Sequence, residues 1–172
     1  MDLATLAERV SEVAQLSGEF RLRSGLTADT YFDKYQFESD PTLLTAVAER
    51  MVDLVPADTE MLAGLELGGV PVATALSIAT GIPAVFVRKK AKDYGTAKLA
   101  EGPEISGRRL LIVEDVVTTG GQIVLSAQDL RDRGAIIDAA VCAIDREQGG
   151  TAALAEATIK LTSVFRRSDL ES

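Results

Sequence analysis

The sequence predicts an α/β domain: a mostly parallel central sheet with helices on both faces. Three observations predict it. Short apolar runs recur at 61–65, 84–87, 110–113 and 139–144, each too short for an independent helix and suited to a strand buried on both faces. Two of these runs pass through a glycine-containing turn into a segment of helical period, the rhythm of a parallel sheet with crossover helices. The chain has 172 residues, 47% of them hydrophobic, which suits one ordinary domain with a real core.

Taken in order, residues 2–17 read as an amphipathic helix. Leu3, Leu6, Val10, Val13 and Leu16 recur at spacings of three and four, and Gly18 stops the pattern. Ser24-Gly25 marks a turn, and the segment after it alternates as a strand. Four of the eight aromatics, Tyr31, Phe32, Tyr35 and Phe37, fall there and pack a small hairpin against the main body. Asp40-Pro41 starts a helix by a capping carboxylate and a proline at the first helical position, with Leu44, Val47, Met51 and Leu54 buried and Pro56 closing it.

The strand at 61–65 leads through Glu66-Leu67-Gly68-Gly69 into a helix carrying Val72, Ala75, Leu76 and Ala79. After the strand at 84–87 stands Arg88-Lys-Lys-Ala-Lys92, four cations in five residues, followed by a weakly patterned stretch to Pro103. The strand at 110–113 leads through Glu114 to Gly121 into a helix with Ile123, Ala127 and Leu130, stopped by Gly134. A strand at 139–144, a short helix at 152–157 and a last strand at 159–165 complete the chain.

Composition excludes several functions. The chain contains no histidine, which removes histidine triads and most zinc sites. Any metal must then meet oxygen ligands, which points to magnesium carried in with a phosphorylated substrate. The formal charge of −8 argues against a general nucleic-acid binder. No apolar run approaches a membrane span, and the N-terminus lacks the pattern of a signal peptide. The single cysteine, Cys142, lies in a strand-like run, reads as a small buried hydrophobe and suits the cytoplasm.

The chemistry concentrates where the 110–113 strand is expected to leave the sheet. Glu114 and Asp115 follow at once, then Val116, Val117, Thr118, Thr119, Gly120, Gly121 and Gln122 at a helix start. Hydroxyls and bare backbone at a helix N-terminus can surround a phosphate, and carboxylates beside them can hold sugar hydroxyls or magnesium. Many glycine turns after buried strands bind nothing; the combination here suits a phosphosugar. The turn is neither a P-loop nor a dinucleotide fingerprint.

Val113-Glu-Asp-Val-Val-Thr-Thr-Gly-Gly121 resembles the signature of the type I phosphoribosyltransferases, which bind 5-phosphoribosyl 1-diphosphate. The resemblance implies that Glu114 and Asp115 meet the ribose hydroxyls, while residues 116–122 cradle the 5'-phosphate. It places Leu67, Gly68 and Gly69 at the diphosphate end, with Glu66-Leu67 where some members carry an aromatic-lysine pair. It also implies a small hood built from about 18–37 and the C-terminal region.

Three further segments resemble the orotate phosphoribosyltransferases. The basic run is similar to their Arg-Lys-x-x-Lys-x-His-Gly loop, here about 88–104, which closes over the neighbouring subunit's active site. Arg88, Lys89 and Lys92 take its cationic positions, with Lys92 the principal cation on the departing diphosphate. Tyr94 stands where histidine is usual; it can donate a hydrogen bond but carries no charge, and Lys90 supplies charge elsewhere. Arg23-Ser24-Gly25 matches a Lys-Ser-Gly turn, and Tyr31-Phe32 an aromatic pair beside the pyrimidine. Asp145-Arg146 matches an Asp-Arg pair whose arginine holds the orotate carboxylate, a task suited to its fork of donors.

The resemblance therefore implies catalytic Glu114, Asp115 and Lys92, an orotate subsite of Arg23, Tyr31, Phe32, Thr118 and Arg146, and a homodimer. Mg2+ arrives on the diphosphate, reaching Asp115 through water at most. Two rivals stand beside this reading: a transferase for another nucleobase, and a non-catalytic sensor of phosphoribosyl diphosphate. Arg146 and Tyr31-Phe32 speak against the first, and the basic run against the second.

Overall fold

The computed structural model describes residues 1–22, 24–91, 93, 95 and 98–170. Its centre is a six-stranded sheet in the order β5-β4-β3-β6-β7-β8. The strands are β3 (Met61–Leu65), β4 (Ala84–Val87), β5 (Ala100–Glu101), β6 (Arg109–Val117), β7 (Ile136–Asp145) and β8 (Lys160–Arg166). All neighbours are parallel except the short edge strand β5, which runs antiparallel to β4. The predicted α/β sheet is therefore present, with β5 arising in the stretch that showed no clear pattern.

Alternation along the strands divides the core between two faces. Leu62, Leu111, Val113, Val141 and Ala143 pack with α1 (Leu3–Ala14), α3 (Pro41–Val52) and α4 (Gly69–Thr80). Ala63, Leu110, Ile112, Ala140 and Cys142 pack with α5 (Gly121–Arg131) and α6 (Gly150–Glu156). Cys142 is fully buried, and burial together with nearby carboxylates pushes its thiol well above the usual range, as befits an inert packing residue.

Helix starts follow local chemistry. Asp2 and Asp40 accept backbone N–H bonds from the first turns of α1 and α3, and Pro41 occupies the first turn of α3. The predicted N-terminal helix is shorter than its apolar spacing suggests. It ends at Ala14, and Gln15 opens β1 (Gln15–Arg21), because Leu16 pairs with Tyr31 across an antiparallel ribbon with β2 (Thr27–Phe32). Gly18 is thus no helix stop; it lies where the register shifts between Ser17 and Phe20. The ribbon closes at Phe32. The next residues turn into α2 (Tyr35–Glu38), whose Phe37 is fully buried in the core rather than packed in the hairpin.

One correction bears directly on the site. Strand β6 does not end at Val113 but runs on through Glu114 and Asp115 to Val117. Its pairing with β3 ends at Val113 opposite Gly64, whereas pairing with β7 continues to Val117 opposite Asp145. The carboxylates keep strand backbone on one side and lose a neighbour on the other. That lost neighbour opens the crevice in which ligands of such sheets bind.

Candidate active site

The crevice is built from the ends of β3, β6 and β7. Beyond β3, the turn 66–68 leads into α4, and the Glu66–Leu67 peptide is cis. A Cβ on Gly68 would lie 1.7 Å from Oδ2 of Asp115, and one on Gly69 would lie 2.4 Å from the Val113 carbonyl oxygen. Side-chain-free backbone is what lets this turn lie directly on the acidic pair. Leu67 stands 66% exposed at its tip. The Glu66 carboxylate accepts the Lys89 backbone N–H at 2.5 Å, fastening the turn to the root of the basic segment. Arg88 reaches back to Glu101 (3.2 Å), and Lys89 is exposed. Lys92, Tyr94 and Arg23, three of the expected contacts, lie outside the described residues.

Beyond β6, residues 116–123 and Glu114 line a pocket of about 320 Å³. Gly120 has φ +78°, and any Cβ there would meet Leu154 Cδ1 at 2.3 Å, so glycine is required by conformation and by space. The first intrahelical bond of α5 is donated by Val124 N–H to the Gly120 carbonyl, leaving the preceding amides without intrahelical acceptors. Thr118 and Thr119 are exposed beside them. Hydroxyls and free amides thus gather at a helix N-terminus, an arrangement suited to an anion.

Beyond β7, Asp145 is buried and holds the turn by accepting the Glu147 N–H at 2.9 Å and the Thr151 hydroxyl at 3.1 Å. The Arg146 N–H donates to the Val117 carbonyl at 2.8 Å, so its backbone is tied to the end of β6. Its guanidinium carbon sits 5.0 Å from the Phe32 ring centre. Arg146, Tyr31 and Phe32 line one pocket of about 200 Å³ together with Gln15 and Arg167. The ribbon contributes the aromatic wall and β7 the cation, although more than a hundred residues separate them in sequence.

The acidic pair itself differs from a pair of exposed carboxylates. Glu114 is half-buried at the pocket wall, and Asp115 is 0% exposed. Asp115 Oδ2 lies 2.5 Å from Lys34 Nζ, and its Oδ1 accepts the Val116 N–H at 2.6 Å. Glu38, from α2, is only 6% exposed in the same cluster. Burial, then hydrogen bonding and repulsion from Asp115, raise Glu38 to about 9, so it is neutral at pH 7. Burial and the charge of Asp115 likewise push Glu114 well above the ordinary carboxylate value. Burial opposes ionisation of Asp115, but the Glu38 hydrogen bond and the Lys34 ammonium outweigh it and hold it below that value. Among these carboxyl groups, only Asp115 is held below its ordinary value.

Lys34 and Glu38 are not legible as site residues in the sequence. Lys34 reads as one exposed charge after an aromatic pair, and nothing in the sequence aligns α2 with β6. Asp145 is legible only as a strand end, and Arg167 as an ordinary C-terminal cation.

Comparison with known proteins decides the family. Residues 36–162 match the phosphoribosyl transferase domain. The orotate phosphoribosyltransferase of Nocardioides sp. (strain ATCC BAA-499 / JS614) is 52% identical over 169 residues, covering 98% of this chain and 94% of that protein. This chain belongs to the orotate phosphoribosyltransferase family. Crystal structures of the Mycobacterium tuberculosis H37Rv orotate phosphoribosyltransferase agree at the level of the whole fold. The Fe(III) dicitrate complex superposes with a TM-score of 0.90 at 34% identity, and the complex with 5-phospho-alpha-D-ribosyl 1-diphosphate with 0.85 at 30% identity. Each match covers 100% of both chains. The mixed sheet with one antiparallel edge, flanked by helices and accompanied by a hood region, is that of the orotate phosphoribosyltransferase fold.

The neutral Glu38 gives a pH prediction. A carboxyl raised from 4.5 to about 9 on folding binds more protons folded than unfolded between those values, so this group makes stability fall as pH rises through that window. Glu38→Gln stays neutral and removes the slope. The melting temperature of the variant relative to the parent should climb steadily from about pH 5 to about pH 9. A difference that stays flat with pH would show that Glu38 ionises normally.

Proposed function

We propose that this chain transfers the phosphoribosyl group from 5-phosphoribosyl 1-diphosphate to a ring nitrogen of orotate, giving orotidine 5'-phosphate and diphosphate, in UMP biosynthesis. The observation that carries the reading is the joining of two pockets through one backbone bond. Val117 ends the strand that feeds the anion cradle, and its carbonyl holds Arg146, the cation of the aromatic pocket. A phosphate site and a site for a flat, negatively charged ring therefore share one end of the sheet.

In this reading, residues 116–122 hold the 5'-phosphate, and Leu67, Gly68 and Gly69 lie along the diphosphate. Tyr31 and Phe32 flank the pyrimidine, Thr118 stands between the subsites, and Arg146 takes the carboxylate. Glu114, at the pocket wall, orients the ribose, and the charge of Asp115, enclosed behind it, stabilises the positive charge that grows on the ribose as the bond to diphosphate lengthens. Arg88 and Lys89, with Lys92 from outside the described residues, complete the cationic surround of the diphosphate; Tyr94 and Arg23, also outside them, add a hydrogen-bond donor there and a cation to the orotate subsite. Orotate brings its own negative charge, so the chain needs no histidine base. Mg2+ belongs to the substrate, neutralising the diphosphate. Asp115 fits a contact through water at most, since its oxygens already face Lys34 and the Val116 N–H.

The test is an assay of donor consumption and diphosphate release with orotate, uracil, adenine, hypoxanthine and xanthine in turn. Orotate should be used far better than any other; equal or better use of a purine would overturn the assignment. Among the described residues, no helix is long and apolar enough to cross a membrane. The buried thiol of Cys142 supports a cytoplasmic setting.

The reading includes a homodimer whose basic loop completes the neighbouring site. An apolar groove between α3 and α4, with Leu44, Ala75 and the 82%-exposed Ile78, supports a second copy there. Sedimentation at working concentration should give a dimer, with specific activity falling on dilution. An active monomer, with activity strictly proportional to protein at high dilution, would rule out shared sites.

A further inference from the structure

The cation behind the acidic pair, Lys34, lies outside the subsites for phosphate, diphosphate and base. Lys34 follows the last residue of β2, Phe32, by two positions, so it is carried by the segment that supplies the aromatic wall. Its Nζ lies 2.5 Å from Asp115 Oδ2, with the lysine side chain 32% exposed and that of Asp115 fully enclosed. The other oxygen of Asp115 is tied to the Val116 N–H at 2.6 Å. Gly68 closes the third side, where even a methyl group would collide with Oδ2. Lys34 also stands 5.3 Å from the centre of the Tyr35 ring, which limits where the ammonium can go.

Glu38 is buried within this cluster, its neutral carboxyl beside that of Asp115. Glu114 is the adjacent residue on the strand. Three carboxyl groups thus compete around one ammonium. A carboxylate enclosed with two other acids and no cation would share a proton with them or turn away. The contact that prevents both comes from the hood side, not from the sheet that bears Asp115.

We infer that Lys34 is a positioning residue, which through its ion pair with Asp115 holds the position and charge of the carboxylate enclosed behind the ribose subsite and ties it to the segment that binds the base. The inference rests on the proposed transferase reaction and deepens it. Lys34 does not touch the reacting atoms; its effect passes through Asp115. Because Tyr31 and Phe32 sit three and two residues upstream, a base seated on the aromatic wall steadies the lysine as well. The ribose carboxylate is then best ordered when the acceptor is in place.

The test is a double-mutant cycle with Lys34→Met, Lys34→Arg, Asp115→Asn and the Lys34→Met/Asp115→Asn pair. It is read as kcat with orotate, donor Kd and melting temperature. Lys34→Met should lower kcat by about 10- to 100-fold, within the coupling range of residues that share one ion pair, while donor Kd moves less than about 3-fold. Lys34→Arg should recover a large part of the loss. In the Asp115→Asn background, Lys34→Met should add less than about a further 2-fold, since the residue it acts through is gone.

Losses that multiply in the pair would overturn the role, and so would a competent Lys34→Met enzyme with parental kcat. If the methionine variant does not fold, Lys34→Gln and Lys34→Arg carry the same comparison. A parent without orotate turnover overturns the functional reading and this role with it. A competent parent matched by its Lys34 variants overturns this role alone.

Discussion

Shortening Arg146 to alanine should lower kcat/KM for orotate by about 2–5 kcal/mol, the range for truncating one partner of a desolvated charged pair. The guanidinium stands over Phe32 and lines the aromatic pocket, with its backbone tied to Val117. From there two parallel hydrogen bonds to a carboxylate are within the reach of its fork. Alanine leaves the substrate's charge without that partner in a half-closed pocket. Donor affinity should barely change, because the cradle of residues 116–122 is untouched. Uracil, which lacks the carboxylate, should be a poor substrate before the change and little worse after it. Arg146→Lys keeps a charge in the same place without the fork and should retain orotate use only in part. Measured kcat/KM for both bases in the three proteins, with donor Kd alongside, decides the matter. An alanine variant as good as the parent with orotate would make Arg146 an ordinary turn residue and favour another nucleobase.

Asp115→Asn should reduce turnover by about 10²–10³-fold, the scale for losing one preorganised electrostatic contact to a transition state. Donor affinity should change only a few-fold, because the carboxylate opposes a charge that grows as the bond to diphosphate breaks. The substitution also strips Lys34 of its counter-ion. That lysine is one-third exposed and can turn to water, so the stability cost stays well below that of breaking a fully buried pair. Single-turnover kinetics on donor-saturated enzyme separates the outcomes. Equal losses in donor binding and in turnover per bound complex would refute a role confined to the transition state.

Much of the fold was open to a reading of periodicity. The runs at 61–65 and 84–87 are strands with the predicted bounds, because fully buried parallel strands are written as short continuous apolar stretches. The same rule misjudged β6. Glu114 and Asp115 broke the apolar run, yet the backbone bonds to β7 do not depend on side-chain polarity, and the strand continued to Val117. At the N-terminus, Leu16 satisfied the helical spacing but found its partner in Tyr31 across the ribbon. A helix spacing and a strand alternation overlap at such junctions, and only the distant partner breaks the tie.

The sequence by itself determined the alternation of strands and helices and the glycine turn with its hydroxyls at the start of α5, and it supplied the candidate residues for phosphate, ribose and carboxylate. Each of those is a local matter: a turn, a helix start or a side-chain type at a given spacing. Only the tertiary structure decided that Tyr31, Phe32 and Arg146 line one pocket and that Asp115 is enclosed with Lys34 and Glu38. It also decided in which direction each carboxyl group of that cluster is shifted. Ionisation in a buried cluster depends on which groups share the space. That sharing is set by how the hood, α2 and β6 pack together, and no spacing along the chain encodes it.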